Sequence, residues 1–140
     1  METDIPIFKK LYELYKLLYS LRANVPKADR YSLWQRAENN CLELLELVLA
    51  ASGSTKTNKS PLLQTASVKL NSLRIFIRLA KETKAIDPKK YVTLQTLIDE
   101  IGRMLGGWLR SVKPDPPPNF LATTKAHLNL HLTKGVEVPS

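Results

Sequence analysis

Arg74, Arg78 and Lys81 recur at intervals of four and three residues. On a helix turning 100° per residue they fall within about 60° of one another, with Asn71 alongside. A row of cations suits a phosphate backbone: the arginine fork can hold two oxygens of one phosphate, and lysine adds a point charge. Lys69 and Lys84 extend the candidate set by charge and helix position, and Lys56 and Lys59 lie just before it. The same arginines could instead meet Glu38, Glu43 or Glu46 of another subunit, and the two readings are compatible. If the phosphate reading is right, reversing Arg74 and Arg78 to glutamate should abolish nucleic-acid retention and keep the fold.

The 140 residues carry a formal net charge of +8, from 21 basic and 13 acidic side chains. The excess is concentrated, because residues 53–86 hold seven basic residues and one acid, whereas residues 29–52 hold two basic and four acidic. Localised cationic charge on a small domain points to a polyanionic partner, nucleic acid or an anionic surface.

Residues for catalysis are missing. No Gly-rich phosphate loop, HExxH or GxSxG pattern occurs. His127 and His131 stand near the C-terminus without a third ligand or a triad partner, so no metal site and no cofactor is expected. Cys41 is the only cysteine, sits within an apolar stripe and reads as a small inert hydrophobe. Asp99 and Glu100 are adjacent, and on a helix their side chains diverge by about 100°, which suits salt bridges or solvent better than paired acid–base work. The chain reads as a non-enzyme. No apolar run approaches the ~20 residues of a membrane span, and the acidic start Met1-Glu2-Thr3-Asp4 is unlike a signal peptide. A cytoplasmic protein without membrane contact is expected.

The elements that must position the cations are four helices with 3,4-spaced apolar stripes. The first stripe is Ile7, Leu11, Leu14, Leu18, Leu21 and Val25, closed by Pro26. The second is Trp34, Ala37, Cys41, Leu44, Val48 and Ala51, running out into a polar loop over residues 52–59. The third starts at Ser60-Pro61, an N-cap hydroxyl before a first-turn proline, and carries Leu62, Ala66, Leu70, Leu73, Ile77 and Ala80. The fourth starts at Asp87-Pro88 and carries Tyr91, Leu94, Ile98, Ile101, Leu105, Trp108 and Val112. Four such helices on short connections predict an all-α fold, an antiparallel up-down four-helix bundle over residues 1–112.

Two helices have a second apolar row that one core cannot absorb. On the first helix it is Phe8, Tyr12, Tyr15 and Tyr19; on the third it is Val68, Ile75, Leu79 and Ile86. A helix apolar on two faces in so short a chain predicts packing against another copy, with these residues at the oligomer interface.

The fourth helix contains Glu100-Ile101-Gly102-Arg103-Met104-Leu105-Gly106-Gly107-Trp108. Each glycine inside a helix costs about 1 kcal/mol relative to alanine, so three within six residues need a packing reason. This run, with Leu73-Arg74-x-x-x-Arg78-Leu79-Ala80, Pro26-Lys27-x-x-Arg30-Tyr31 and Asp87-Pro88-Lys89-Lys90-Tyr91, resembles the accessory variability determinant (Avd) proteins of diversity-generating retroelements. The likeness spans roughly residues 5–112. Those proteins belong to a superfamily of four-helix bundles that includes the ribosomal-RNA intervening-sequence proteins. The resemblance implies a homopentameric barrel with a positive surface that binds the element's reverse transcriptase and its template RNA and has no polymerase activity. It also brings Arg103 beside Arg74 and Arg78 as a nucleic-acid-binding candidate. Phosphate contacts alone do not separate RNA from DNA. A structural bundle of the intervening-sequence type, with an unknown partner, is the second reading. Residues 113–140 form a C-terminal extension: a proline-rich spacer, then Ala126–Leu132 and Val136–Val138, which alternate like a short hairpin or form a disordered tail.

Overall fold

The computed structural model describes residues 5–112, and the proposed tail and hairpin of residues 113–140, with His127 and His131, lie outside them. Among the described residues the chain is helical, without strands. The elements are α1 (Pro6–Leu21), a 3-10 turn (Arg22–Asn24), the single turn α2 (Lys27–Arg30), α3 (Leu33–Ser52), α4 (Lys56–Glu82) and α5 (Pro88–Val112). The four long helices pack in cyclic order, α1 on α3, α3 on α4, α4 on α5, and α5 back on α1.

Side-chain contacts fix the directions. Trp34 Nε1 donates to Leu18 O at 3.0 Å and Cys41 Sγ to Leu11 O at 3.6 Å, so α1 and α3 run opposite ways. Glu43 meets Lys69 while Arg36 lies over Phe76, which makes α3 and α4 antiparallel. Lys81 lies over Tyr91 while Arg74 reaches Asp99, which does the same for α4 and α5. The bundle is up-down.

The stripes supply the core. All six apolar positions read for the first helix and all six for the second are buried. On α5, Leu94, Ile98, Ile101, Leu105 and Val112 are buried, while Tyr91 and Trp108 pack at the core's edge.

Three local features depart from the sequence reading. Helix α4 begins four residues before Ser60, capped by Thr55, whose Oγ1 accepts from Asn58 N at 3.4 Å. Pro61 therefore sits inside the helix, where it removes one i→i−4 bond in the second turn. The buried residue there is Leu63, with Leu62 only half-buried. Ile86 does not belong to the exposed row. It follows the turn after α4 and is 8% exposed in the core, because Ala85 N and Ile86 N both bond back to Ala80 O and fold the chain inward. The Pro26–Tyr31 junction, which the resemblance implies should open the second long helix, forms the separate turn α2 ahead of α3. There Arg30 Nη2 donates to Ala23 O and Val25 O, satisfying carbonyls left open at the end of the 3-10 turn.

Two buried groups carry chemistry that packing must answer. Glu38 on α3 is buried, and Arg22 meets it with a two-toothed grip, Nε and Nη2 reaching Oε2 at 2.9 and 2.8 Å. That hydrogen bond to Glu38 holds the Arg22 guanidinium above its ordinary range. Burial pushes the Cys41 thiol from an ordinary 9.0 up to about 12. The thiol should therefore resist alkylation by iodoacetamide in the native state at pH 8 and react once guanidinium unfolds the chain. A raised thiol pKa contributes stability that is whole below pH 9 and is lost as pH climbs through 12. Native alkylation at the rate of the unfolded chain would show that the bundle does not enclose Cys41.

Candidate nucleic-acid interface

Helix α4 presents several flanks of different character, and its registers decide what each flank meets. Leu63, Ala66, Leu70, Leu73, Ile77 and Ala80 face the core. About 60° to 80° round from Leu73–Ile77, Lys81 and Arg74 look towards α5, and Arg78 stands farther round, at about 120°. On the opposite flank Lys69 and Phe76 look towards α3.

The row of cations is thus real, but its members differ. Arg74 is half-buried between α4 and α5 and bonds Asp99 of α5 through Nη1. Arg78 is exposed one turn on, and makes no ion pair among the described residues. Lys81 is exposed, its ammonium 4.5 Å from the centre of the Tyr91 ring. Lys84 lies in the turn after α4 with φ 65°, a left-handed conformation that glycine would adopt without strain. Lys81, Lys84 and Lys90 line one recess at that end of the bundle. Arg103, on α5, opens into the same α4–α5 groove as Arg74.

Lys69 does not join the row. Five residues from Arg74, it lies about 140° round the helix, and Glu43 of α3 holds it at 2.6 Å. The alternative partners for the arginines are also accounted for in part: Arg22 takes Glu38, Lys69 takes Glu43, and Asp99 in the same chain takes Arg74. Asp99 and Glu100 diverge as their spacing requires, Asp99 towards α4 and Glu100 to Lys10 of α1 at 3.1 Å. The Glu100 carboxylate, by hydrogen bond first and charge second, raises the Lys10 ammonium above its ordinary range.

The α4–α5 groove, about 360 Å³, is lined by Ser67, Leu70, Asn71, Arg74, Asp99, Gly102, Arg103, Leu105 and Gly106. Gly102 is the glycine with a close neighbour. A Cβ there would lie 3.3 Å from Arg74 Nη2 and 3.6 Å from Leu70 Cδ2, so its absence gives the guanidinium room to lie across α5. A Cβ at Gly106 or Gly107 would meet the Arg110 guanidinium at 3.5 and 3.9 Å, ordinary contacts that alanine would satisfy. The packing reason is therefore a guanidinium at Gly102, and nothing among the described residues demands glycine at the other two.

Away from the groove the surface is apolar in two places. On α4, Val68, Ile75 and Leu79 are 65%, 47% and 41% exposed, centred about 110° round the helix from the cation row, with Ile75 about 60° from Arg78. On α1, Tyr12 and Tyr19 are 54% and 58% exposed, while Phe8 and Tyr15 pack against the core. Lys16 and Arg22 lie over the Tyr12 and Tyr19 rings at 5.3 and 4.8 Å. Sequence reasoning missed that α3 adds to this second patch, with Leu42 and Leu49 exposed and Leu45 half-buried. Their i, i+3, i+7 spacing was the available signal.

Among the described residues no helix is long and apolar enough to cross a membrane, and no cluster of His, Cys, Asp or Glu is placed to hold a metal ion. A comparison with curated proteins finds no match. A family model described as bAvd-like matches residues 6–112, which spans the whole bundle, the cationic face of α4 and the glycines of α5. On that match the chain belongs to the bAvd-like family, as an Avd-type four-helix bundle.

Proposed function

We propose that this protein is a non-catalytic accessory factor of a diversity-generating retroelement, which binds the element's reverse transcriptase and its structured template RNA and assembles as a cytoplasmic homopentamer. The observation that carries the reading is the segregation of surfaces. Arg74, Arg78, Lys81, Lys84 and Arg103 gather on the α4–α5 side, and most of the exposed apolar residues lie on other flanks, with Ile75 of α4 and Val92 of α5 bordering the cations. A protomer built so can join its neighbours through apolar patches while every copy keeps its cations for a polyanion.

The mechanism is electrostatic and architectural. Each cation that neutralises a phosphate releases counterions, so binding is strong at low salt and falls steeply as salt rises. An oligomer repeats one basic face several times, and a single folded RNA can then engage several faces by avidity. Such contacts position the RNA without reading its sequence. The template would be held against the polymerase, which alone performs the chemistry.

Affinity capture of the tagged protein from its native cells at two salt concentrations tests this, with bound RNA sequenced and bound proteins identified. Recovery of a reverse transcriptase with one dominant structured RNA is the expected result. Bulk RNA that washes off with salt, and no polymerase, would sink the assigned partners.

A further inference from the structure

We propose that the α4–α5 groove is a phosphodiester subsite whose place is held by Asp99 until RNA arrives, so that Asp99 sets how readily the basic face engages a backbone phosphate. The inference rests on the RNA-binding reading above and adds to it a named site and a named gatekeeping residue. Among the described residues Arg74 is the one member of the α4 row with a carboxylate partner, and that partner is on the neighbouring helix within the same groove. The pair is open to solvent, Asp99 being 50% and Arg74 32% exposed by side chain. Ion pairs this exposed are weak and exchange readily with competing anions.

The groove offers a phosphate more than Asp99 does. Arg103 stands one turn beyond Asp99 on α5, and Asn71 and Ser67 line the α4 wall with amide and hydroxyl donors. Gly102 keeps the floor low beside the Arg74 guanidinium. A phosphodiester entering there takes the Arg74 fork, gains charge from Arg103 and displaces the Asp99 carboxylate into water. Asp99 opposes any anion that cannot replace it on Arg74.

The test is a double-mutant cycle on the full chain, read by anisotropy with a labelled RNA hairpin. Asp99→Asn removes the competing charge. Glu46→Gln, on the exposed face of α3, makes the same change of net charge far from the groove. Asp99→Asn should tighten RNA binding about threefold to tenfold more than Glu46→Gln does. That gain should vanish when Arg74→Gln is also present, because the freed fork is its source. Equal gains from the two single variants, or a gain that survives without Arg74, overturn the subsite and leave the RNA-binding reading standing. No RNA binding by the parent protein or by any variant overturns both.

Discussion

Replacing Arg78 and Arg103 together with glutamate is expected to abolish RNA retention near physiological salt and to leave helix content unchanged. Both side chains are exposed, and neither makes an ion pair among the described residues, so no internal partner is orphaned. The two reversals move the net charge of each protomer by four units, from +8 to +4. Removing one cation from a phosphate should flatten the slope of log affinity against log salt by about 0.7 to 0.9, hence by about 1.4 to 1.8 for each engaged protomer. Reversal adds repulsion to the missing attraction, so an affinity loss of about a hundredfold is the scale to look for. Anisotropy titrations at several salt concentrations read both quantities. An unaltered affinity and slope, with a normal circular dichroism spectrum, would remove phosphate contact as the role of this face. Arg74 is a poorer target for reversal than the sequence suggests. A carboxylate put in its place would confront Asp99, and any loss would mix repulsion within the protomer with weakened RNA binding.

What the sequence could show was whatever a single helix decides by itself. The inward stripes of α1 and α3 are readable because one face of each helix is apolar and the period is unbroken, and every position read there is buried. The cap at Asp87 is equally local: its Oδ1 accepts from Lys90 N at 2.8 Å, as an aspartate before a first-turn proline should. The start of α4 failed for a local reason of the same kind. Ser60-Pro61 has the form of a cap, yet Thr55 caps earlier and the helix tolerates Pro61 near its beginning at the cost of one hydrogen bond.

The candidate site was legible only in part, because its geometry depends on pairs of helices. The row Arg74, Arg78, Lys81 follows from spacing alone. Its division into a held arginine and an open one does not, since that requires knowing that α5 runs antiparallel beside α4 with Asp99 at the level of Arg74. Lys69 fails the same way: it belongs to the charged helix but looks across to Glu43. Ile86 fits the outer row by counting, but the row assumes a helix that has already ended at Glu82.

If the protein assembles through the α4 patch as proposed, Ile75→Asp with Leu79→Asp should yield monomers of 15.8 kDa without loss of helicity. Both residues are exposed in the protomer, so the substitution leaves its core alone, whereas a carboxylate buried without a partner at an interface is costly. The layout of the surface also favours a particular kind of assembly. A two-fold dimer uses one self-complementary patch, but a closed ring joins two different patches head to tail. This protomer has two: Val68, Ile75 and Leu79 on α4, and Tyr12, Tyr19, Leu42 and Leu49 on α1 and α3. If the ring is built from them, Tyr12→Asp with Tyr19→Asp should be monomeric as well. Mixing the two variants should then restore one intact interface and yield a heterodimer of twice 15.8 kDa that grows no further. A self-complementary α4 patch gives a different pattern. The tyrosine variant would still dimerise alone, and mixing would restore nothing. Light scattering on the separate and mixed variants decides between them, and it does so without RNA, so the assembly is tested apart from the charge.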